Sequence, residues 1–266
     1  MPYFCSDEHI IHYETIGSGK PILLIHGFTN HGFAWFPQIS DLVYEGYQVI
    51  LPDLPGHGMS KPCDRTVTVS GMANLIIQLL GSLHIERTSV CGLSLGGMIV
   101  QTLLINHAIH IERAVIANSS SNFTSEQARV NVEGWIQTLI QPNGPERRLE
   151  NTWTKLVRPS FRDTALGRSV YAAWMNVNRR VDGQALARVA NGMKQFDSRT
   201  RLPEVTVPTL VIGGRYDELI PAAEAEFIHK QIPNSELVVI EEAGHLSNLD
   251  AADQFNLALL SFLRQS

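Results

Sequence analysis

The feature that most constrains the fold is an alternation of short apolar runs with longer amphipathic stretches. The runs typical of strands are His9–Ile16, Pro21–Ile25, Tyr47–Leu51, Thr88–Leu93, Arg113–Ala117, Thr209–Gly213 and Leu237–Ile240. The stretches typical of helices are Val69–Leu83, Leu95–Asn106, Ala222–Gln231 and Leu249–Leu263. Such alternation favours parallel strands with helices packed on both faces. We therefore predict an α/β fold with a mostly parallel, doubly covered sheet of about eight strands.

The alternation stops between Ala117 and Thr209. The segment from 125 to 201 contains no convincing strand and reads as several helices broken at prolines and glycines. Residues 121–202 hold 13 Lys plus Arg against 7 Asp plus Glu, a net charge of +6 that leaves −11 for the rest of a chain whose total is −5. We predict a core domain of residues 1–120 and 203–266 and a helical cap, residues 121–202, inserted after the sixth strand.

Composition and charge exclude several classes of protein. Of the 266 residues, 44% are apolar and 18% charged, which is ordinary for a soluble globular enzyme. The net negative charge argues against a general nucleic-acid role, and neither a signal peptide nor a run of about 20 apolar residues is readable. Three cysteines without metal-ligand spacing suggest reduced thiols. We expect a cytoplasmic protein without a membrane partner, either a monomer or a homodimer.

The segment Gly92-Leu93-Ser94-Leu95-Gly96-Gly97 joins a predicted strand to a predicted helix. A turn this tight holds its central residue at positive φ, which pushes the hydroxyl of Ser94 out at the end of the strand. Only small residues fit two positions on either side, and glycines occupy both. We interpret Ser94 as a nucleophile. The alternative is a glycine-rich turn with an incidental serine.

A nucleophilic serine needs a base to take its proton and an acid to orient that base. Asp217 follows one of the later predicted strands and His245 follows the next, so both belong at the same edge of the sheet as the serine. We predict that Ser94, Asp217 and His245 form a catalytic triad. Asp217 as a simple helix cap, His245 as a surface histidine and Glu218 as the acid are the alternatives.

Attack on a carbonyl also needs hydrogen-bond donors for the oxyanion that forms. One predicted donor is the backbone N–H of Leu95, at the start of a helix. The other is the backbone N–H of Phe28, in the loop that follows Pro21–Ile25. Gly27 would let the backbone approach a substrate closely, although a simple turn glycine is the alternative.

Together these motifs resemble the α/β-hydrolase-fold serine hydrolases. The matching segments are His26-Gly27-Phe28, the run from Asp53 to Ser60, the segment around Ser94, the Asp217 loop and Gly244-His245. In that family the run from Asp53 to Ser60 is structural, which implies no catalytic role for His57. A serine at the nucleophile position is unlike haloalkane dehalogenases and epoxide hydrolases, which use aspartate. The stretch from Gly244 to Asp250 resembles enol-lactone hydrolases and small-ester esterases.

The resemblance implies cleavage of a carboxylic ester or lactone of a small soluble molecule through an acyl-enzyme, without a metal or organic cofactor. The same core also serves carbon–carbon bond hydrolases, thioesterases, methylesterases and cofactor-free perhydrolases. A non-catalytic ligand receptor with this fold is the alternative of another class.

The cap is expected to set specificity. The residues predicted to line an apolar substrate pocket are Trp135, Trp153, Phe161, Tyr171, Trp174 and Leu246. Plain core packing is the alternative for these side chains. Among the cap arginines, Arg129, Arg158 and Arg162 are candidates to recognise a substrate carboxylate, against the alternative of a solvated helix face.

Overall fold

A computed structural model describes residues 2–6 and 9–265, and the outermost residues of the predicted core domain, 1 and 266, lie outside the described residues. Within this part of the chain, eight strands form one sheet in the order β1-β2-β4-β3-β5-β6-β7-β8. The strands are β1 (Tyr3–Cys5), β2 (Ile10–Ile16), β3 (Lys20–Ile25), β4 (Tyr47–Pro52), β5 (Thr88–Leu93), β6 (Ile111–Ala117), β7 (Thr209–Gly214) and β8 (Ser235–Ile240).

The pairings among β3 to β8 are parallel, whereas β1 and β2 form antiparallel pairs at one side of the sheet. The central strand β5 is buried at every position, as expected where helices cover both faces. The predicted α/β fold with a mostly parallel sheet is confirmed. Because Ile25 pairs with Gly92 and Leu93 with Ala117, the carboxyl ends of β3, β5 and β6 meet at one edge.

The helices cover both faces of this sheet. They are α1 (Phe36–Tyr44), α2 (Val69–Ser82), α3 (Leu95–Asn106), α4 (Glu126–Leu139), α5 (Gly144–Leu156), α6 (Pro159–Arg162), α7 (Ala165–Asn178), α8 (Gly183–Met193), α9 (Ala222–Gln231), α10 (Ser247–Asp250) and α11 (Ala252–Leu263). Alternate residues of β3 supply the two apolar cores: Leu23 and Ile25 pack in one cluster with α2 and α3, and Leu24 packs in the other with α1 and α11. Among the described residues, no helix is both long and apolar enough to cross a membrane.

Five helices, α4 to α8, lie between β6 and β7. The chain enters and leaves this helical segment at adjacent positions, because Phe123 N donates to Phe196 O at 2.8 Å and Ser198 N to Ser121 O at 2.9 Å. This pairing supports our proposal that residues 121–202, the cap, form a unit inserted into the core domain. Arg188 of α8 also binds the core, donating from Nη1 to Cys63 O at 2.9 Å.

Three local features differ from the predictions. Strand β1 and helix α1 were not predicted, since a three-residue strand is too short to show alternation and α1 begins beside a proline after a 3-10 turn. The prediction of one helix over Leu249–Leu263 is wrong at its start, because Ala251 (φ −136°, ψ 43°) separates α10 from α11. The cause is tertiary: Asp250 Oδ2 accepts hydrogen bonds from Gly244 N and Arg158 N, both at 3.0 Å.

Candidate active site

Ser94 lies between the end of β5 and the start of α3, with φ 56° and ψ −116°. Residues other than glycine rarely adopt this backbone conformation, which costs on the order of 1–3 kcal/mol in conformational energy. Two backbone hydrogen bonds maintain it: Ser94 N donates to Ala117 O at 2.9 Å, and Met98 N donates to Ser94 O at 3.1 Å. The strained turn predicted from the sequence is present, and it directs the side chain away from the end of the strand.

The glycines around Ser94 are required by close backbone contacts. A Cβ on Gly92 would lie 2.2 Å from Gly96 O, and one on Gly96 would lie 2.1 Å from Ile25 O. On Gly97 it would lie 2.4 Å from Ser119 Cβ. Such distances are far below van der Waals contact, so each of these positions excludes a larger residue unless the segment that faces it moves away.

His245 and Asp217 are buried and directly paired. His245 Nδ1 lies 2.8 Å from Asp217 Oδ2, and because an ionised carboxylate only accepts, Nδ1 donates and Nε2 is left as an acceptor. Asp217 Oδ1 accepts from the backbone N–H groups of Leu219 and Ile220, both at 2.9 Å. Glu218, the alternative acid, is exposed to solvent. The geometry therefore favours Asp217 as the partner of His245.

Asn118, at the end of β6, is a site residue that the sequence reasoning missed. Its Nδ2 donates to Asp217 Oδ2 at 3.0 Å and to Gly244 O at 3.2 Å, and its Oδ1 accepts from the hydroxyl of Ser247. One buried amide thus holds both the carboxylate and the loop on either side of His245. Its position directly after a strand on the same edge was the available signal.

The loop after β3 supplies the second predicted oxyanion donor. Leu95 N–H is at the first position of α3 and has no acceptor within that helix. Phe28 and Ser94 line the same small cavity, and a Cβ on Gly27 would lie 3.2 Å from Ser94 Cβ. His26 fixes this loop, since its Nδ1 donates to Gly27 O at 2.7 Å and its Nε2 accepts from Leu54 N at 2.9 Å. The predicted donors thus belong to segments that flank Ser94, Phe28 in a loop that lines the same cavity and Leu95 directly after the serine in the chain.

The run from Asp53 to Ser60 packs against the loop after β3. Asp53 Oδ1 accepts from Gly32 N at 2.7 Å, and its Oδ2 accepts from Met59 N at 2.8 Å. His57 is buried against Phe28, with ring centres 5.6 Å apart, and its Nδ1 donates to Pro55 O. Burial, and to a smaller extent the nearby His26, lowers the pKa of His57 to about 3. These contacts fit the structural role that the resemblance implied.

We expect the buried neutral His57 to make stability depend on pH. Its folded pKa of about 3 is below the unfolded value near 6.5, so only the unfolded chain binds this proton between those values, and stability falls as pH decreases through that window. His57→Asn should therefore flatten the pH dependence of the free energy of unfolding by up to about 1.4 kcal/mol per pH unit. Urea denaturation at pH 7, 6 and 5 measures this pH dependence of the free energy of unfolding. The matched control is His84→Asn, at an exposed histidine, and an equal slope in both variants would contradict the expectation.

The structure brings some of the predicted pocket residues to Ser94 and not others. Trp174 and Leu246 line the cavity that contains Ser94 and His245, together with Leu149 and Leu156, which were not predicted. Trp135 does not line this cavity; its ring is stacked on that of Phe28, which does, with ring centres 6.0 Å apart. Trp153 packs against Trp174 and opens on a separate depression with Tyr171, while Phe161 is buried in the same apolar cluster. The cavity is narrow, about 20 Å³, which is room for one water molecule.

The Ser94 hydroxyl donates no hydrogen bond to His245 among the described residues, although both line this cavity. Contacts of this kind often tighten only when substrate is bound. Cys91, the other nucleophile near Ser94 in sequence, is fully buried, and burial raises the pKa of its thiol. It therefore stays protonated inside β5 and is not available for catalysis.

The three arginines considered for carboxylate recognition lie elsewhere. Arg129 is exposed on α4, and Arg162 Nε lies 3.8 Å from Asp163. Arg158 is paired with Glu242 and with Asp250. None of these side chains lines the cavity that holds Ser94.

Fold and site geometry together define a hydrolase of the α/β class. The sequence profile of the α/β hydrolase fold family matches residues 20–252, most of the chain. The protein belongs to this family and is a hydrolytic enzyme of the α/β fold.

Individual relatives are similar over nearly the whole chain. The 3-oxoadipate enol-lactonase 1 of Acinetobacter baylyi is 27% identical over 240 residues, covering 89% of this chain and 85% of the relative. A pimeloyl-[acyl-carrier protein] methyl ester esterase of Vibrio atlanticus is 26% identical over 270 residues, covering 96% and 98%. Among solved structures, a malate-bound thermophilic esterase from Thermogutta terrifontis superposes with a TM-score of 0.88 at 28% identity, covering 96% of this chain and 93% of that one.

Proposed function

We propose that the protein hydrolyses a carboxylic ester or lactone of a small molecule, with Ser94 as nucleophile, His245 as base and Asp217 as the acid that orients it. The observation that carries the proposal is the buried chain of hydrogen bonds that fixes His245 Nε2 as an acceptor beside the strained serine. Similarity to an enol-lactonase and to two esterases supports the same reaction class.

In the proposed mechanism, Ser94 Oγ attacks the carbonyl carbon while His245 Nε2 takes the hydroxyl proton. The Leu95 and Phe28 N–H groups stabilise the oxyanion. The C–O bond to the leaving group breaks and His245 returns the proton to that oxygen, leaving an acyl-enzyme. His245 then activates a water that attacks the acyl carbonyl, and the carboxylic acid and the free serine are released. Asp217 stabilises the imidazolium in both halves.

The cap controls access in this proposal. A cavity of about 20 Å³ is much smaller than the several hundred Å³ of a typical ligand pocket, so an ester enters only after side chains such as Leu149, Leu156 or Trp174 shift. These three side chains come from α5 and α7 and are apolar. Because the cavity they line is also narrow, they favour an acyl group of modest size. Cap movement of this kind can limit turnover in enzymes with lids.

A substrate panel tests the proposal. We expect turnover of short-chain 4-nitrophenyl esters with a stoichiometric burst of 4-nitrophenol whenever deacylation is slower than acylation. The panel should include long-chain esters, neutral lactones, acidic lactones, a thioester and a peracid-forming mixture of acetate and hydrogen peroxide. Neither burst nor turnover on any ester or lactone would contradict the proposal. Turnover confined to the thioester or to the peracid mixture would replace it with the corresponding alternative reaction.

A further inference from the structure

Gln101 lies in the middle of α3, and its side chain is fully shielded from solvent. Its neighbours along the helix are mostly apolar and equally buried, so this part of α3 belongs to the core. A buried amide is costly unless its donors and its acceptor find partners. The partners of Gln101 come from three places: the first turn of its own helix, the segment that follows β6, and the end of the cap.

The contacts of the Gln101 amide fix its orientation. Its Nε2 donates to Ser120 O at 3.1 Å and to Gly97 O at 3.2 Å, and lies 3.4 Å from the hydroxyl oxygen of Ser119. Its Oε1 accepts from the hydroxyl of Ser198 at 2.7 Å. Because the two carbonyl groups can only accept, they determine which end of the amide carries the N–H groups. One end therefore binds the segment after β6, and the other binds the end of the cap.

Ser119 connects this amide to the nucleophile turn. Its hydroxyl donates to Ser94 O at 2.8 Å, so it supports the backbone of the residue that is held at φ 56°. Gly97 packs directly against it, since a Cβ at position 97 would lie 2.4 Å from Ser119 Cβ. A displacement of Ser119 therefore changes the surroundings of the turn that contains Ser94.

The cap stem, residues 119–123 and 196–198, is where the chain enters and leaves the cap. Ser121 and Ser198 are both buried in it. The N–H group and the hydroxyl of Ser121 donate to Glu224 Oε1 at 2.7 and 2.6 Å. Glu224 is in the first turn of α9, the helix that follows the Asp217 loop. Gln101 thus reaches a place where both ends of the cap are joined to the core.

Together these contacts form a chain of hydrogen bonds from the cap to the nucleophile turn. Ser198 donates to Gln101 Oε1, and Gln101 Nε2 donates to Ser119 Oγ. Ser119 Oγ in turn donates to Ser94 O. Each member donates to the next, an arrangement in which hydrogen bonds polarise one another. Substrate entry, as proposed above, requires movement in the cap, and any such movement that displaces Ser198 disturbs this chain.

We propose that Gln101 is a positioning residue that couples closure of the cap to the geometry of the Ser94 turn, through Ser198 on one side and Ser119 on the other. The inference rests on the proposed ester or lactone hydrolysis at Ser94, and it adds a residue that touches neither the substrate nor the reacting atoms. The coupling is reciprocal, because a contact that holds the turn when the cap is closed also holds the cap when the turn is formed.

A double-mutant cycle on two serines tests the coupling. Ser119 and Ser198 make no direct hydrogen bond to each other within residues 2–6 and 9–265, and both contact Gln101. With 4-nitrophenyl butyrate as substrate, we expect Ser119→Ala and Ser198→Ala each to lower kcat about 5-fold, the effect of one lost hydrogen bond. KM should change less than about 3-fold, because no side chain that lines the cavity is replaced.

The double variant distinguishes a coupled chain from two separate contacts. Since either replacement breaks the same chain, its loss in kcat should be at least about 3-fold smaller than the product of the single losses. Gln101→Met keeps the length of the side chain and removes the amide. In that background, Ser198→Ala should lower kcat by less than about 2-fold. Thermal melting checks that each variant is folded.

The matched control is Thr102→Val, at the next residue of α3. The hydroxyl of Thr102 is also buried, but it donates to Met98 O at 3.0 Å within the same helix. This variant removes a buried hydrogen bond from α3 without touching the chain from the cap. It should leave kcat within about 2-fold of the wild type, and its effect should multiply with that of Ser198→Ala.

Losses that simply multiply in the serine cycle would overturn the role of Gln101 while leaving ester hydrolysis intact. So would a rise in KM with an unchanged kcat. If the wild type hydrolyses no ester, the coupling is decided by hydrogen exchange at the N–H group of Met98, which donates to Ser94 O. The reference for global opening is the N–H group of Ala114 in β6, which donates to Pro208 O.

Relative to this reference, we expect Ser198→Ala to speed exchange at Met98 at least about 3-fold, and to have less than about 2-fold effect in the Gln101→Met background. Equal relative exchange in the wild type and in Ser198→Ala would reject the coupling. Failure of ester hydrolysis and failure of this inference are thus separate results.

Discussion

Replacing Ser94 with alanine should lower kcat for ester hydrolysis on the order of 10⁴- to 10⁶-fold and leave a folded protein. The Ser94 hydroxyl is the group proposed to form the bond to the substrate carbonyl. The backbone bonds that hold residue 94, to Ala117 and Met98, do not involve its side chain. Chromogenic ester turnover at saturating substrate measures the loss, and circular dichroism with thermal melting checks the fold.

A second variant separates the chemistry of Ser94 from its strain. Glycine adopts φ 56° and ψ −116° without the steric cost that serine and alanine both bear. Ser94→Gly should therefore be as inactive as Ser94→Ala but more stable than it, by about 1 kcal/mol in the free energy of unfolding. If the alanine variant kept more than about 1% of wild-type activity, the assignment of Ser94 as the nucleophile would be wrong. If the glycine variant were the less stable one, the interpretation of the turn as strained would be wrong.

The places of the proposed catalytic residues in the fold were predictable from the sequence, because these residues stand beside strong local signals. Thr88–Leu93 and Leu95–Asn106 were predicted with the bounds that the structure has, since a fully buried strand and the helix after it both show in the apolar pattern. The glycines flanking Ser94 marked the turn between them. Asp217 and His245 were found from their places after later strands, and the structure brings them within hydrogen-bond distance.

What the sequence did not reveal depends on contacts between distant parts of the chain. Asn118 follows β6 like many polar residues that close a strand, and nothing local shows that its amide bridges Asp217 and the His245 loop. The break at Ala251 similarly arises because Asp250 binds Gly244 and Arg158, far apart in sequence. No glycine or proline marks this position.

The cap was the least predictable region for the same reason. Its aromatic residues all occur at helical spacing, but whether one faces Ser94 depends on how α4, α5 and α7 pack over the sheet. Trp174 reaches the cavity, whereas Trp153 packs behind it. The guanidinium carbon of Arg148 lies 4.4 Å from the centre of the Trp135 ring, whereas its neighbour Arg147 is exposed, because the two residues lie on different faces of α5. Sequence composition indicates a basic cap but does not show which arginines are shielded from solvent.

Replacing Asp217 with asparagine should lower kcat by about 10⁴-fold, through the tautomer of His245 rather than through loss of the fold. Each oxygen of Asp217 accepts from two N–H donors, Oδ1 from Leu219 and Ile220 and Oδ2 from His245 and Asn118. An asparagine NH₂ in either orientation therefore meets two donors. If it faces His245, the ring is driven to carry its proton on Nε2, where it cannot accept the proton of Ser94. Steady-state kinetics measures the loss, and ¹⁵N chemical shifts of the histidine ring report the tautomer directly.

The matched control for Asp217 is its neighbour in the same loop. Glu218→Gln removes one negative charge at an exposed position, so it should leave kcat within about 3-fold of the wild type and His245 in its original tautomer. Because the two substitutions change the net charge equally, any effect of overall charge is common to both and cancels in their comparison. A large loss in Glu218→Gln with near-normal activity in Asp217→Asn would assign the acid to Glu218 and require the loop after β7 to rearrange during catalysis. The buried contacts of Asp217 with Asn118 and His245 predict the opposite result.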